Sequence, residues 1–216
     1  MSYISTQTVS ANNTPTNPLL EDLNMVPLGA SVWTSSGNLA KSGIKAIAQA
    51  ASGAMAHYGI GFDPTRDSVA ACIENSFLLA IKNGHTRLAI PFIASNIFLG
   101  RILPVIDKDE LASLIVTACQ THHGAAEAVI VAFGAGDMAH FKKAMTGNTD
   151  KSVTLVDGSV THYADHQCTA IVNAANMEVQ FGGGISGIIG KATGQISQIN
   201  AEATSAIKDF WKTNGS

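Results

Sequence analysis

The sequence predicts the α/β class. Two observations lead there: short apolar runs rich in β-branched residues alternate with segments of helical periodicity, and nearly every run closes on a glycine or a polar loop. A third is compositional, since the 216 residues are 46% hydrophobic and only 13% charged, which excludes a disordered or fibrous chain.

The elements follow in order. Residues 1–18 are rich in Ser, Thr and Asn and lack both the basic region and the apolar run of a secretory signal, so they are expected to form a disordered leader. Residues 44–51 fit either a helix, by their alanines, or a short strand, by their length and the flanking Gly43 and Gly53. From 67 to 84, Val69, Cys72, Ile73, Ser76, Phe77, Ala80 and Ile81 recur at helical spacing, with Asp67 placed to cap and Gly84 to stop. A short apolar run at 87–93, a loop at 94–100 and a helical pattern from Asp107 to about His122 make a strand–loop–helix unit. Residues 128–133 repeat the strand, closed by Gly134-Ala135-Gly136 before an amphipathic helix at 137–145 that turns Phe141 and Met145 inward. After a polar loop at 146–152, residues 153–156 and 169–172 read as strands, and 185–212 reads as helix. No repeat of ~20–50 residues is present.

With ~150 residues per domain and no long internal linker, residues 19–216 are expected to form a single domain with a sizeable core. Thirteen basic and 16 acidic residues leave a formal charge of −3 with no run of one sign, so nucleic acid held through its phosphates is not an expected partner. Cys72, Cys119 and Cys168 are odd in number and far apart, which speaks against a disulfide framework or a clustered zinc site and for a reduced, cytoplasmic setting. The most apolar stretch, 88–106, is broken by Pro91, Asn96, Arg101 and Pro104, short of the ~18 uninterrupted residues of a membrane span, so no membrane partner is expected.

Chemistry concentrates in one segment: Ala170-Ile-Val-Asn173-Ala174-Ala-Asn176, a short turn, then Gly182-Gly183-Gly184-Ile185-Ser186-Gly187. A strand running into three glycines and then a helix can bring backbone N–H groups and the positive helix end close to a phosphate. Asn173 and Asn176 can offer amides to sugar hydroxyls without repelling it; the alternative is a tight turn with buried, satisfied asparagines. Gly182, Gly184 and Gly187 spell G-x-G-x-x-G, but a dinucleotide site needs a following strand with an acidic residue, and here helix follows. A P-loop is rejected because Gly190-Lys191 is followed by Ala192 and the spacing from Gly184 is one residue too long.

Ile171-Val-Asn-Ala-Ala-Asn176 followed by Gly182-Gly-Gly-Ile-Ser-Gly-Ile-Ile resembles the signature of the macro domain, the ADP-ribose-binding family. The rest of the chain resembles that family in a permuted order. Val32-Trp-Thr-Ser-Ser-Gly-Asn-Leu39 is similar to the strand and turn that follow the glycine loop, residues 88–98 to the second phosphate loop, and residues 128–145 to the closing strand and helix. The resemblance thus implies a circularly permuted, three-layer α/β/α domain with a mixed central sheet, in which loop 146–152 joins the family's usual ends. It implies binding of ADP-ribose or an ADP-ribosylated protein without a cofactor or metal. The alternative within the family is an ADP-ribosyl hydrolase or phosphatase that removes ADP-ribose, an O-acetyl ester or a 1″-phosphate.

By that resemblance Asn176 faces the distal ribose, where in the hydrolytic version it would position a water as the catalytic residue. Gly182, Gly183, Gly184, Ile185 and Ser186 surround the ribose and phosphates. Ala94, Ser95, Asn96, Ile97 and Phe98 lie in the loop, 94–100, that grips the diphosphate; Phe98 stands where the family places an aromatic against the distal ribose, and Phe133 where an aromatic can lie against adenine. For Phe98 and Phe133 core packing is the alternative. Three departures accompany these matches. The family's Gly-Asp at the adenine amino group is here Asp157-Gly158-Ser159, leaving Asp157 or Ser159 to replace it. Asn96 and Leu99 stand where the diphosphate loop usually has glycines, which disfavours positive φ. Ser186 replaces the aspartate of the de-ADP-ribosylating branch, and the histidine of several hydrolytic members falls at Gln49, so strong acid–base catalysis is not encoded there.

His122, His123, His162 and His166 read as surface histidines without a second ligand type at metal spacing. Ser35, Ser36 and Ser95 have no base in view, and Asp137 reads as a helix cap.

Overall fold

A computed structural model describes residues 17–53, 63–96 and 98–214. The elements are α1 (Asn17–Asp22), β1 (Ser31–Ser35), β2 (Ala46–Gly53), α2 (Arg66–Lys82), β3 (Arg87–Pro91), α3 (Lys108–His122), β4 (Glu127–Ala132), α4 (Gly134–Ala144), β5 (Val153–Asp157), α5 (Tyr163–His166), β6 (Ala170–Asn176), α6 (Gly184–Thr193) and α7 (Ile196–Asn214), with short 3₁₀ turns at Gly37–Lys41 and Leu99–Arg101. Six strands form one mixed sheet in the order β1-β2-β6-β3-β4-β5, with β1 antiparallel to β2 and every other pair parallel. Helices α2, α3 and α4 cover one face, and α1, α5, α6 and α7 cover the other, giving three layers.

Strand periodicity of two builds both interfaces. Ala48, Ala50, Leu88, Ile90, Ala128, Ile130, Ala170 and Val172 face α2–α4, where Ile73, Phe77, Leu111, Ile115 and Phe141 meet them. Their neighbours Ile47, Ala89, Val129 and Ile171 pack against Ile189 of α6, while Ala51 and Ala175 meet Ala203, Ile207 and Trp211 of α7. Burial on both faces is why these strands read as continuous apolar runs rather than alternating ones.

Several expectations are corrected. The segment open between helix and strand at 44–51 resolves as strand, β2 running from Ala46 to Gly53, because pairing with β1 and β6 on both sides outweighs the helix preference of the alanines. The cap of α2 is Thr65, in a reciprocal box with Ser68, and Asp67 lies in the first turn; Gly84, at φ +78, does follow the helix end. Helix α4 begins at Gly134, so the Gly-Ala-Gly run is its first turn and Asp137 does not cap it but approaches Lys108 at 3.7 Å. The last helical stretch is two helices, parted at Gly194 with φ +61. Helix α1 begins at Asn17, inside the expected leader, whose residues 1–16 lie outside the described ones. Among the described residues no helix is long and apolar enough to cross a membrane. All three cysteines are free and buried, and burial pushes the Cys72 and Cys168 thiols up to about 12.

His166 is not a surface residue: it is 2% exposed, its Nε2 donates to Val160 O at 3.1 Å and its Nδ1 accepts the Cys168 N–H at 3.0 Å. A second ring proton would break the latter bond, and burial holds its pKa below the ordinary value. The unfolded chain, titrating near about 6.5, therefore binds more protons in the window just below that pH, and stability falls as pH drops through it, by at most ~1.4 kcal/mol per pH unit for one group. The urea midpoint is expected to be lower at pH 5 than at pH 7.5, and the difference to shrink in His166→Gln.

Candidate functional site

The parallel strands all end on one edge of the sheet, where the chain leaves neighbouring strands toward opposite faces. From β6 it passes to α6 on one side, and from the adjacent β3 to α3 on the other; β4 and β5 diverge likewise to α4 and α5. Such divergence opens a crevice at the carboxyl ends of the strands, the usual ligand position in open α/β sheets.

Asn176 closes β6 beside Gly53 of β2. Its Oδ1 accepts the Gln180 N–H at 3.3 Å and its carbonyl accepts the Val179 N–H, so the side chain shapes the turn into the glycine loop. Val179 is buried with φ +49, an outlier for a β-branched residue. From α7 the turn is strapped: the Gln180 amide donates to Asn200 O at 3.3 Å and Thr204 Oγ1 at 3.2 Å, and Asn200 Oδ1 accepts the Phe181 N–H at 3.1 Å. Gly182, Gly183 and Gly184 are exposed, Gly184 has φ +58, and α6 begins there with no capping side chain. Its first amides, of Gly184 and Ile185, are left unpaired by helix geometry. The Gly182 N–H is not among them, since Ser186 Oγ accepts it at 3.2 Å.

The 94–98 loop faces this one. A side-chain carbon placed on Gly184 would lie 3.9 Å from Asn96 Nδ2. Positive φ in this loop falls not on Asn96 or Leu99 but on Ala94, at φ +58 and 4% exposed. Non-glycine residues in that region persist only where their surroundings hold them, and here two of them, Ala94 and Val179, border one crevice. Ser95 is buried, donating to Phe92 O at 2.7 Å, and Ile97 lies outside the described residues. Phe98 is 8% exposed and takes the packing role: its ring closes on Gly53, where an added carbon would come within 2.4 Å.

At the far end of the crevice Phe133 is 75% exposed, which overturns the core alternative for it. Beside it the Asp157 carboxylate accepts the Gly134 N–H at 3.1 Å. Ser159 Oγ is engaged with Thr161 Oγ1 at 2.9 Å, and its N–H donates to Asp165 Oδ2 at 2.8 Å. Asp165, on the unexpected α5, is thus a second carboxylate at this end; no spacing in the sequence points to it.

Three expected ligand contacts, Asn173, Ala174 and Ser186, are corrected. Asn173 lies mid-strand with 0% exposure, its Nδ2 donating to Gln49 Oε1 and Ser186 Oγ, and Ser186 is itself 5% exposed, so neither side chain reaches a ligand. Ala174 turns to the opposite face of the sheet. Neither 94–98 nor 182–186 contains a Lys or Arg, and among the described residues no cluster of His, Cys, Asp or Glu is placed to hold a metal. What the crevice offers an anion is uncharged: glycine-loop amides, a helix end and the Asn96 amide.

The Phe133→Ala variant is expected to keep its stability within about 0.5 kcal/mol, measured by urea denaturation, because the ring is exposed. Compared with known proteins, the chain matches no protein-family model and no curated protein.

Proposed function

We propose that the chain is a circularly permuted macro domain that binds ADP-ribose or an ADP-ribosyl group in this crevice. The observation that carries the reading is the meeting of two loops far apart in sequence, the glycine loop and the 94–98 loop, with Gly184 and Asn96 opposed across the point where β6 and β3 send the chain to opposite faces. A diphosphate between them would be met by backbone N–H groups, with the distal ribose toward Asn176 and the base toward Phe133 and Asp157.

The permutation has support of its own. Strands β4 and β5, closing and opening strands in the family order, are parallel neighbours with α4 as the crossover between them, so the short 146–152 loop has only to carry the chain from the end of α4 to the start of β5. That loop is built from local bonds, Asn148 Nδ2 to Asp150 O at 3.1 Å and Asp150 Oδ1 from the Ser152 N–H at 2.8 Å. At the place where the family chain would run on from α7 into β1, the two segments lie together, with Trp211 Nε1 donating to Met25 O at 2.8 Å.

Titration with ADP-ribose beside ADP, AMP and NAD, followed by calorimetry and melting temperature, tests the reading. Selective stabilisation by ADP-ribose is expected, about 2.7 kcal/mol at one hundred times Kd, and silence up to millimolar ligand would overturn it. Phe133→Ala should then weaken binding by about 1–3 kcal/mol through lost base stacking. The reading favours a binding module over a hydrolase, because Ser186, where the hydrolytic branch has an aspartate, is a neutral hydroxyl that is no general base and whose oxygen is already engaged by two N–H donors. Mono-ADP-ribosylated protein is expected to keep its modification; release abolished by Asn176→Ala would instead assign hydrolysis to that residue.

A further inference from the structure

We propose that Gln49 and Asn173 are positioning residues that set the glycine loop through Ser186, a role that deepens the binding reading and rests on it. The two amides are register partners on β2 and β6, 1% and 0% exposed. Gln49 Nε2 donates to Thr34 Oγ1 at 3.2 Å, and Asn173 Nδ2 donates to Gln49 Oε1 at 2.7 Å and to Ser186 Oγ at 3.1 Å. Ser186 Oγ also accepts the Gly182 N–H at 3.2 Å. A chain of hydrogen bonds thus runs from the edge strand β1, beneath the helices, to the first glycine of the loop.

Two features separate this chain from ordinary core filling. It lies between two apolar clusters, with Ile47 and Ile171 on one side and Ala51 and Ala175 on the other, so an apolar pair at these positions would unite them. Asn173 Oδ1 is moreover buried with no partner among the described residues, and an unpaired buried acceptor destabilises a fold. Stability is therefore poorly served by the amide. Direction is what it supplies: with both acceptor sites of its hydroxyl engaged, Ser186 cannot swing away, Gly182 is tied down, and the amides of Gly184 and Ile185 open toward the crevice.

The test compares Q49L/N173L with Ser186→Ala. Replacing both amides by apolar groups should leave the melting temperature at or above that of the parent, while exchange of the Gly182 amide proton, read by NMR without ligand, speeds up about tenfold. Affinity for ADP-ribose should fall about tenfold. Ser186→Ala should reproduce both effects, adding Asn173→Leu to it should cause no further loss, and Ser186→Thr, which keeps the hydroxyl, should restore them. A purely structural pair would do the reverse, lowering the melting temperature with loop exchange and affinity unmoved, and that result overturns the proposal. If Q49L/N173L does not fold, Ser186→Ala decides alone. If the parent protein does not bind ADP-ribose, the functional reading falls, and Gly182 exchange still decides the relay.

Discussion

Gly184→Val is expected to abolish the response to ADP-ribose, lowering affinity by roughly 100-fold or more in calorimetry. Two effects combine. At φ +58 a side chain is strained, most of all a β-branched one, by roughly 1–2 kcal/mol. Its Cβ would also project into the gap toward Asn96, 3.9 Å away, where its methyl groups would occupy the path of the diphosphate. Because Gly184 is exposed and anchors no core residue, stability without ligand should fall only by the backbone strain. Gly182→Ala is the control: its φ lies outside the left-handed region and an added carbon meets nothing within 4 Å, so it should retain most of the affinity. If Gly184→Val binds as the parent does, the ligand does not use the glycine loop.

Trp211→Ala should be the most destabilising single substitution in α7, about 3–5 kcal/mol by the usual range for a buried large aromatic. The indole is 3% exposed, packs with Leu20, Met25 and Val26, meets Phe210 edge-on at 5.2 Å, and ties α7 to the segment before β1 through its bond to Met25 O. In a domain of this size the melting temperature should drop by roughly 2–4 °C per kcal/mol. Trp211→Phe keeps most of the apolar contact and should lose about 1 kcal/mol for the missing hydrogen bond. Since α7 straps the glycine loop through Gln180, Asn200 and Thr204, the alanine variant should also lose ADP-ribose stabilisation. A cost below about 1 kcal/mol would mean that α7 is not held at this point.

Much of this protein is legible in local pattern. The spacing of Val69, Ile73, Phe77 and Ala80 reports α2, the pattern from Asp107 to about His122 reports α3, and the apolar runs at β3 and β4 report buried parallel strands. The run from Asn173 to Ser186 marks the candidate segment, because three consecutive glycines between a strand and a helix allow either a close approach of backbone to a ligand or a tight turn.

Other features depend on contacts that sequence spacing does not express. Asn173 and Asn176 are three apart on one strand, so one faces the α6–α7 layer beside Gln49 while the other closes the strand at the crevice; only strand register distinguishes the buried amide from the one at the strand end. Asp165, Gln180 and Asn200 acquire their roles from neighbours six to 20 residues away across turns and helices. The alanines of β2 prefer helix by a few tenths of a kcal/mol each, and pairing on both sides within a sheet buried on both faces overrides that sum. By itself, then, the sequence determined the alternation of elements, the α/β class and the position of the glycine loop between a strand and a helix, because those rest on local periodicity and backbone freedom. The tertiary structure alone decided which strands neighbour one another, which polar groups are buried and that the 94–98 loop faces the glycines, because these follow from burial and pairing between residues distant in the chain.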